Sequence, residues 1–117
     1  MPNPKVLIIV TGDPRVSPRP AEAVRIAAGV GAWKKVDITL YLRAAAVLAL
    51  SEFADELVDE DNFTRYLPIV AESDRSIYVQ KGSPQLSELG EPALKFQEIS
   101  DDELANLAAK STYVARF

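Results

Sequence analysis

Polar residues that can bind an anion follow two apolar runs of this chain, which has 117 residues. One group lies in the loop after Lys5–Val10, and the other comes directly after Ile77–Val79. Guanidinium, ammonium and hydroxyl groups close to a helix start can hold a phosphate or a carboxylate. The alternative is that these side chains are solvated or contact another subunit. The predicted ligand-binding residues are Thr11, Asp13, Arg19, Gln80 and Lys81.

The composition excludes several kinds of catalysis. The sequence contains neither cysteine nor histidine, which removes disulfides, thiol nucleophiles and the commonest general base. Lys81 would be a nucleophile only if it were buried and deprotonated, and the alternative is a solvated loop lysine. Ser83 is better explained as a helix cap, because no histidine can activate it. We therefore predict no catalytic residue and no cofactor.

A run of acidic residues between Ser51 and Asp61 raises the question of a metal site. Carboxylates bind divalent cations, but a calcium loop also requires a fixed ligand spacing and a glycine, which this run lacks. We predict a solvated acidic loop that leads into a helix, and no metal site.

Charge and hydropathy limit the classes of partner. The net charge of −4 argues against a nucleic acid partner. No apolar run approaches the roughly 20 residues of a membrane span, and the N-terminus lacks the pattern of a signal peptide. We therefore expect a cytoplasmic protein with one domain over residues 1–117. Residues 1–50 carry a net +4 and residues 51–117 a net −8. Either the folded chain mixes these charges, or oppositely charged faces pair between subunits.

The elements that must position the loops alternate between strands and helices. The predicted strands are Lys5–Val10, Val36–Leu42, Ile77–Val79, Leu94–Ile99 and Thr112–Phe117. The predicted helices are Pro20–Gly31, Ala44–Leu50, a segment with apolar residues from Phe63 to Val70, Pro84–Gly90, and one that starts after Ser100. Such alternation is typical of a three-layer α/β/α sandwich with a five-stranded parallel sheet.

Local signals predict where three of these helices start and where one of them is kinked or restarted. Asp61 or Asn62 is predicted to cap the third helix, and Pro68 to kink or restart it. Ser83 is predicted to cap the fourth helix. Ser100 and Glu103 have the spacing of a capping box, in which each side chain bonds the backbone N–H of the other residue.

Three stretches resemble the small sulfur-relay proteins of the DsrE/DsrF type, including subunits of the tRNA 2-thiolation relay. They are Arg19–Ala27 followed by Val36–Leu42, the alanine-rich turn Ala44–Leu48, and Ser76–Ser83, which resembles the strand that ends at the family's active cysteine. The capped helix and final strand of Ser100–Phe117 also fit. The likeness covers nearly the whole chain through patterns of small and apolar residues.

The resemblance implies a DsrE/F-like five-stranded sheet and assembly into homo-oligomers, as trimers or hexamers, or with related subunits. Active members carry a persulfide on a cysteine after the third strand, where this chain has Gln80 and Lys81. A persulfide requires a thiolate, so the resemblance points to a non-catalytic binding or assembly subunit. The alternative is a protein that binds a small anionic ligand or nucleotide, or an enzyme, that uses Lys81 or Arg19.

Overall fold

Five parallel strands in the order β4-β3-β2-β1-β5 form the centre of the molecule. The structure is a computed structural model that describes residues 3–31, 35–51, 57–71, 77–90 and 94–117. The strands are β1 (Lys5–Val10), β2 (Asp37–Leu42), β3 (Ile77–Gln80), β4 (Gln97–Ile99) and β5 (Tyr113–Arg116). The helices are α1 (Arg19–Gly31), α2 (Glu60–Ala71) and α3 (Asp101–Lys110), with 3₁₀ helices at Ala44–Leu50 and Pro84–Glu88.

Helices cover both faces of the sheet, which confirms the predicted three layers. Successive residues of a strand point to opposite faces, so Ile8 packs with α1 and α2, whereas Leu7 and Ile9 pack beneath α3. The chain moves from β1 to β4 in one direction and returns to β5 in the other. Because parallel crossovers are right-handed, reversing the direction moves the connecting helix to the other face. We call the two faces the α1 side and the α3 side.

The α1 side holds most of the core. The predicted small stripe of α1 is buried, and Ala27 and Ala28 are its central members. Small side chains let a helix lie close to a sheet, which leaves room for Leu40 and Leu42 between the layers. The buried residues of α2 are Phe63, Leu67 and Val70.

The boundaries of several elements differ from the predictions. Ala44–Leu50 is a 3₁₀ helix, and β4 begins only at Gln97. Helix α2 begins at Glu60 and continues through Pro68 without restarting. Neither Asp61 nor Asn62 caps it, and the Asn62 amide instead donates to the carbonyl of Ala21.

The capping box of α3 is present as predicted. The Ser100 hydroxyl accepts from the Glu103 amide at 3.2 Å, and the Glu103 carboxylate accepts from the Ser100 amide at 3.2 Å. This reciprocal pair satisfies two helix-end donors, and it fixes the position at which α3 leaves β4.

The acidic run falls partly outside the described residues, because residues 52–56 are not among them. Its last members, Asp59, Glu60 and Asp61, are exposed at the start of α2. None of the helices in the described part of the chain has both the length and the apolarity needed to span a bilayer.

Candidate functional site

The predicted site residues lie at one edge of the sheet but form two groups. Strands β1 and β3 both run parallel to β2 and lie on either side of it, so Val10 and Gln80 end at the same edge. Ligand sites of open parallel sheets lie at this carboxyl edge. The end of β2 separates the group at the end of β1 from the group at the end of β3.

The group at β1 is tied to the end of β5. The Thr11 amide donates to the carbonyl of Phe117 at 3.0 Å. The Arg19 guanidinium lies 5.8 Å from the centre of the Phe117 ring and donates to the carbonyl of Arg116 at 3.5 Å. Stacking on a ring restrains a guanidinium and leaves most of its N–H groups available. Arg19 is therefore held near Thr11 as a cation at the edge of the sheet.

Asp13 is occupied within its own loop. Its carboxylate accepts from Arg15 Nη2 at 2.9 Å, from Arg15 Nε at 3.1 Å and from the Arg15 amide at 2.9 Å. Hydrogen bonding from the Arg15 side chain lowers the pKa of Asp13, against an opposing effect of partial burial. The pair of Asp13 and Arg15 stabilises the conformation of the loop, so Asp13 has a structural role at this edge.

We expect the Asp13 ion pair to make stability depend on pH below about pH 4. A carboxyl group whose pKa is lowered on folding stabilises the fold above its unfolded pKa of about 3.9, and this contribution is lost as the pH falls through the lowered value. Asp13→Asn should therefore cost up to about 1 kcal/mol at pH 6, as is usual for an accessible ion pair, and less at pH 3. Urea unfolding of both proteins at the two pH values measures this. A difference that does not change with pH would contradict the assignment.

In the group at β3, the Gln80 side chain is hydrogen-bonded to the backbone and the Lys81 side chain is exposed. Gln80 Oε1 accepts from the amide of Ala44 at 3.0 Å, and Ala44 has a φ of 53°, a left-handed conformation that costs energy for any residue with a Cβ. Gln80 therefore stabilises the strained turn after β2. The Lys81 amide donates to the Ile99 carbonyl at 3.0 Å, and its side chain is exposed.

Ser83 does not cap its helix through its side chain, which corrects the prediction. The backbone of Ser83 occupies the N-cap position and Pro84 follows it, but no side-chain capping bond forms. The hydroxyl instead contacts the Ala44 carbonyl at 3.4 Å and the Gln85 side-chain oxygen at 2.9 Å. Its hydroxyl therefore supports the same strained turn as Gln80.

Arg43 is the residue that the sequence interpretation missed. It follows β2 directly, between the two predicted groups. Its Nη1 donates to Asp101 Oδ1 at 2.8 Å and to Tyr41 Oη at 3.3 Å. Burial raises the pKa of Tyr41, so the phenol stays protonated. Knowledge of the strand order would have indicated Arg43. Strand β2 lies between β1 and β3, so the residue that follows β2 lies between the two predicted groups.

The chemistry available at this edge is that of binding. The cations Arg19, Arg43 and Lys81 lie along this edge, and two carboxylates there, Asp13 and Asp101, are paired with arginines. Within the described ranges, no group of three histidine, cysteine or acidic side chains could hold a metal ion.

The order and direction of the strands, with helices on both faces, define the DsrE-like fold. The solved structure of the YchN protein from E. coli, which has this fold, superposes with a TM-score of 0.77 and 19% sequence identity. The match covers 97% of this chain and 99% of that one. At this level of identity, the similarity establishes the shared fold. No known protein family matches the sequence, and no curated protein matches it either.

Proposed function

We propose that the chain is a non-catalytic subunit with a DsrE-like fold, which assembles with copies of itself as a trimer or hexamer or with related subunits. The observation that carries this proposal is the thin cover on one face of the sheet. None of the residues of α3 is buried, whereas seven residues of α1 are. The apolar residues of α3, which are Leu104, Leu107 and Ala108, are only partly buried where they pack on a small second core.

The edge strand β5 also has an accessible apolar side chain on the α3 side. Val114 pairs in register with Leu7, so its side chain projects to the α3 side, where it is 37% exposed. Near the opposite edge, a groove of about 300 Å³ runs between α3 and strands β3 and β4, with Tyr78, Ile99 and Leu107 in its lining. Gln97, Glu103, Asn106 and Lys110 also line this groove, so it combines apolar and polar side chains. Such a mixture is typical of a protein–protein contact.

Charge also favours assembly. The first turn of α3 presents Asp101, Asp102 and Glu103, while arginines gather near the ends of β1, β2 and β5. Arg43 and Asp101 already pair within one subunit, so the exposed Asp102 and Arg19 are the charges that a contact between subunits would use. The net +4 of residues 1–50 and net −8 of residues 51–117 agree with such pairing.

The amino-acid composition of the chain supports a non-catalytic role. A persulfide carrier needs a thiolate, and the sequence contains no cysteine and no histidine. Lys81 is exposed in a turn, whereas a nucleophilic lysine is activated by desolvation or by a neighbouring cation.

Two substitutions of matched exposure test the proposal. Val114 on the α3 side is 37% exposed and Ile69 on the outside of α2 is 38% exposed. Sedimentation velocity should give wild type a mass that is a multiple of 12.8 kDa. Val114→Asp should shift the chain to monomer, because it places a charge in the contact, and Ile69→Asp should not. Circular dichroism checks that both variants are folded. A monomeric wild type would contradict assembly with copies of itself, and equal behaviour of the two variants would contradict the α3 side as the contact.

A further inference from the structure

We infer that the carboxyl edge beside β1 holds a site for a small tetrahedral oxyanion of the phosphate or sulfate class. The site consists of Thr11, Arg43 and Arg116, which we call the arginine notch. This inference goes beyond assembly, since it gives the edge a ligand of its own within one subunit.

Strand register brings the three residues together. Ile9 pairs with Arg116 on β5 and with Tyr41 on β2. The backbone bond from the Arg43 amide to the Val10 carbonyl, 2.9 Å long, continues the pairing of β1 and β2 past the end of β2. Two strands that flank a third are roughly 10 Å apart. Arg43 therefore lies level with Thr11 on one side of β1, and Arg116 lies on the other side, level with Ile9 and two residues before Thr11. Arginine side chains are long enough to bridge this separation through an anion.

All three side chains project toward the α3 side. Ile9 and Tyr41 belong to the core beneath α3, and alternate residues of a strand share a face. Thr11 and Arg43 come two residues after Ile9 and Tyr41, and Arg116 lies beside Ile9 in register. The contact of the Arg43 guanidinium with the Tyr41 hydroxyl, at 3.3 Å, agrees with this assignment.

The arginine notch has N–H groups that are available to bind an anion. Both bonds that Arg43 makes, to Asp101 and to Tyr41, use Nη1, so within the described residues Nη2 and Nε have no partner. A guanidinium presents five N–H groups in a rigid fork that matches an oxyanion with two parallel bonds. Neither Arg116 nor Arg19 forms an ion pair with a described residue. The Thr11 hydroxyl adds a neutral donor between the arginines.

Replacing Asp101 should change the affinity for an anion in the opposite direction to replacing Arg43. Its carboxylate is 73% exposed and lies 2.8 Å from Arg43 Nη1, so it competes with an incoming anion for the guanidinium and repels it. Removing Arg43 and removing Asp101 break the same ion pair. A purely structural pair would respond similarly to both changes, whereas an anion site would respond in opposite directions.

Isothermal titration calorimetry with inorganic phosphate, and separately with sulfate, tests the notch. Arg43→Gln and Arg116→Gln should each weaken binding roughly ten- to hundredfold, the range for a hydrogen bond to a charged group. Asp101→Asn should tighten binding by roughly threefold, because an exposed charge a few Å away acts through water. Arg65→Gln on α2, which removes an exposed arginine elsewhere, should leave the affinity unchanged.

Three results would overturn the inference. They are the absence of saturable phosphate or sulfate binding to wild type, an equal loss in Arg65→Gln, and weaker binding by Asp101→Asn. Sedimentation of the same samples keeps this inference separate from assembly, because Arg43→Gln should lose affinity for phosphate at an unchanged mass. An unchanged affinity together with a changed mass in Arg43→Gln would place Arg43 in the assembly contact, and it would overturn the notch as well.

Discussion

Replacing Tyr41 with alanine should lower the free energy of unfolding by about 3–5 kcal/mol, the usual range for a buried aromatic side chain. Tyr41 is fully buried and packs with Leu7, Ile9 and Ile99 beneath α3. These four are the buried members of that core among the residues that the structure describes, so few neighbours can fill the space. The loss should also release Arg43, which donates to the Tyr41 hydroxyl.

Urea unfolding of wild type, Tyr41→Ala and Tyr41→Phe measures this effect. The phenylalanine variant keeps the ring and removes only the hydroxyl. Arg43 remains accessible to water, so this change should cost only about 1 kcal/mol. Equal losses in the two variants would contradict the importance of the ring in the core. A loss below about 1 kcal/mol in Tyr41→Ala would show that α3 does not pack on this core.

Replacing Leu40 with alanine should lower the free energy of unfolding by about 2–5 kcal/mol. Leu40 lies in the central strand β2, pairs in register with Ile8 and is fully buried on the α1 side. The alanines of α1 already lie close to the sheet, so the helix has little room to move into the cavity, and a rigid cavity gives a large loss.

Thr39→Ala is the matched control for Leu40→Ala. Thr39 is the preceding residue of β2, points to the opposite face and is half-buried. Its replacement should cost less than about 1 kcal/mol, because few packed atoms are removed. Chemical denaturation of both variants gives the comparison. Similar losses at the two positions would contradict the assignment of Leu40 to the main core.

The fold was predictable because its signals are local. The apolar run Lys5–Val10 indicates a strand with both faces covered, and the structure places a helical layer on each side of it. The capping box at Ser100 and Glu103 fixed the start of α3 within one residue. Periodicity and capping act over a few residues, so the sequence shows them directly.

The elements that were predicted less well depend on packing with distant parts of the chain. Alanine favours the α-helix, yet Ala44–Leu50 is a 3₁₀ helix with its last five residues buried. Pro68 lies in the last turn of α2, where a missing N–H removes a single hydrogen bond of the helix. The Ser83 hydroxyl contacts the Gln85 side chain and the Ala44 carbonyl instead of the backbone N–H groups at the start of its helix.

The sequence pattern placed the candidate residues at the carboxyl edge of the sheet, but it did not show which residues from other strands lie beside them. Thr11, Arg19 and Lys81 follow strands, so a sequence pattern places them at the carboxyl edge. Arg43 and Arg116 come from strands on either side of β1, and their adjacency depends on the strand order, which hydropathy does not encode. Partners across strands are fixed only once the whole sheet has formed.

If another subunit covers the α3 side of the sheet, hydrogen–deuterium exchange of the wild-type chain should depend on protein concentration. Amides of Asp101–Lys110 should exchange more slowly at high protein concentration than at low concentration, while those of Glu60–Ala71 should not change. Exchange in α3 that is the same at all concentrations, or protection that develops in α2 instead, would contradict a contact on the α3 side.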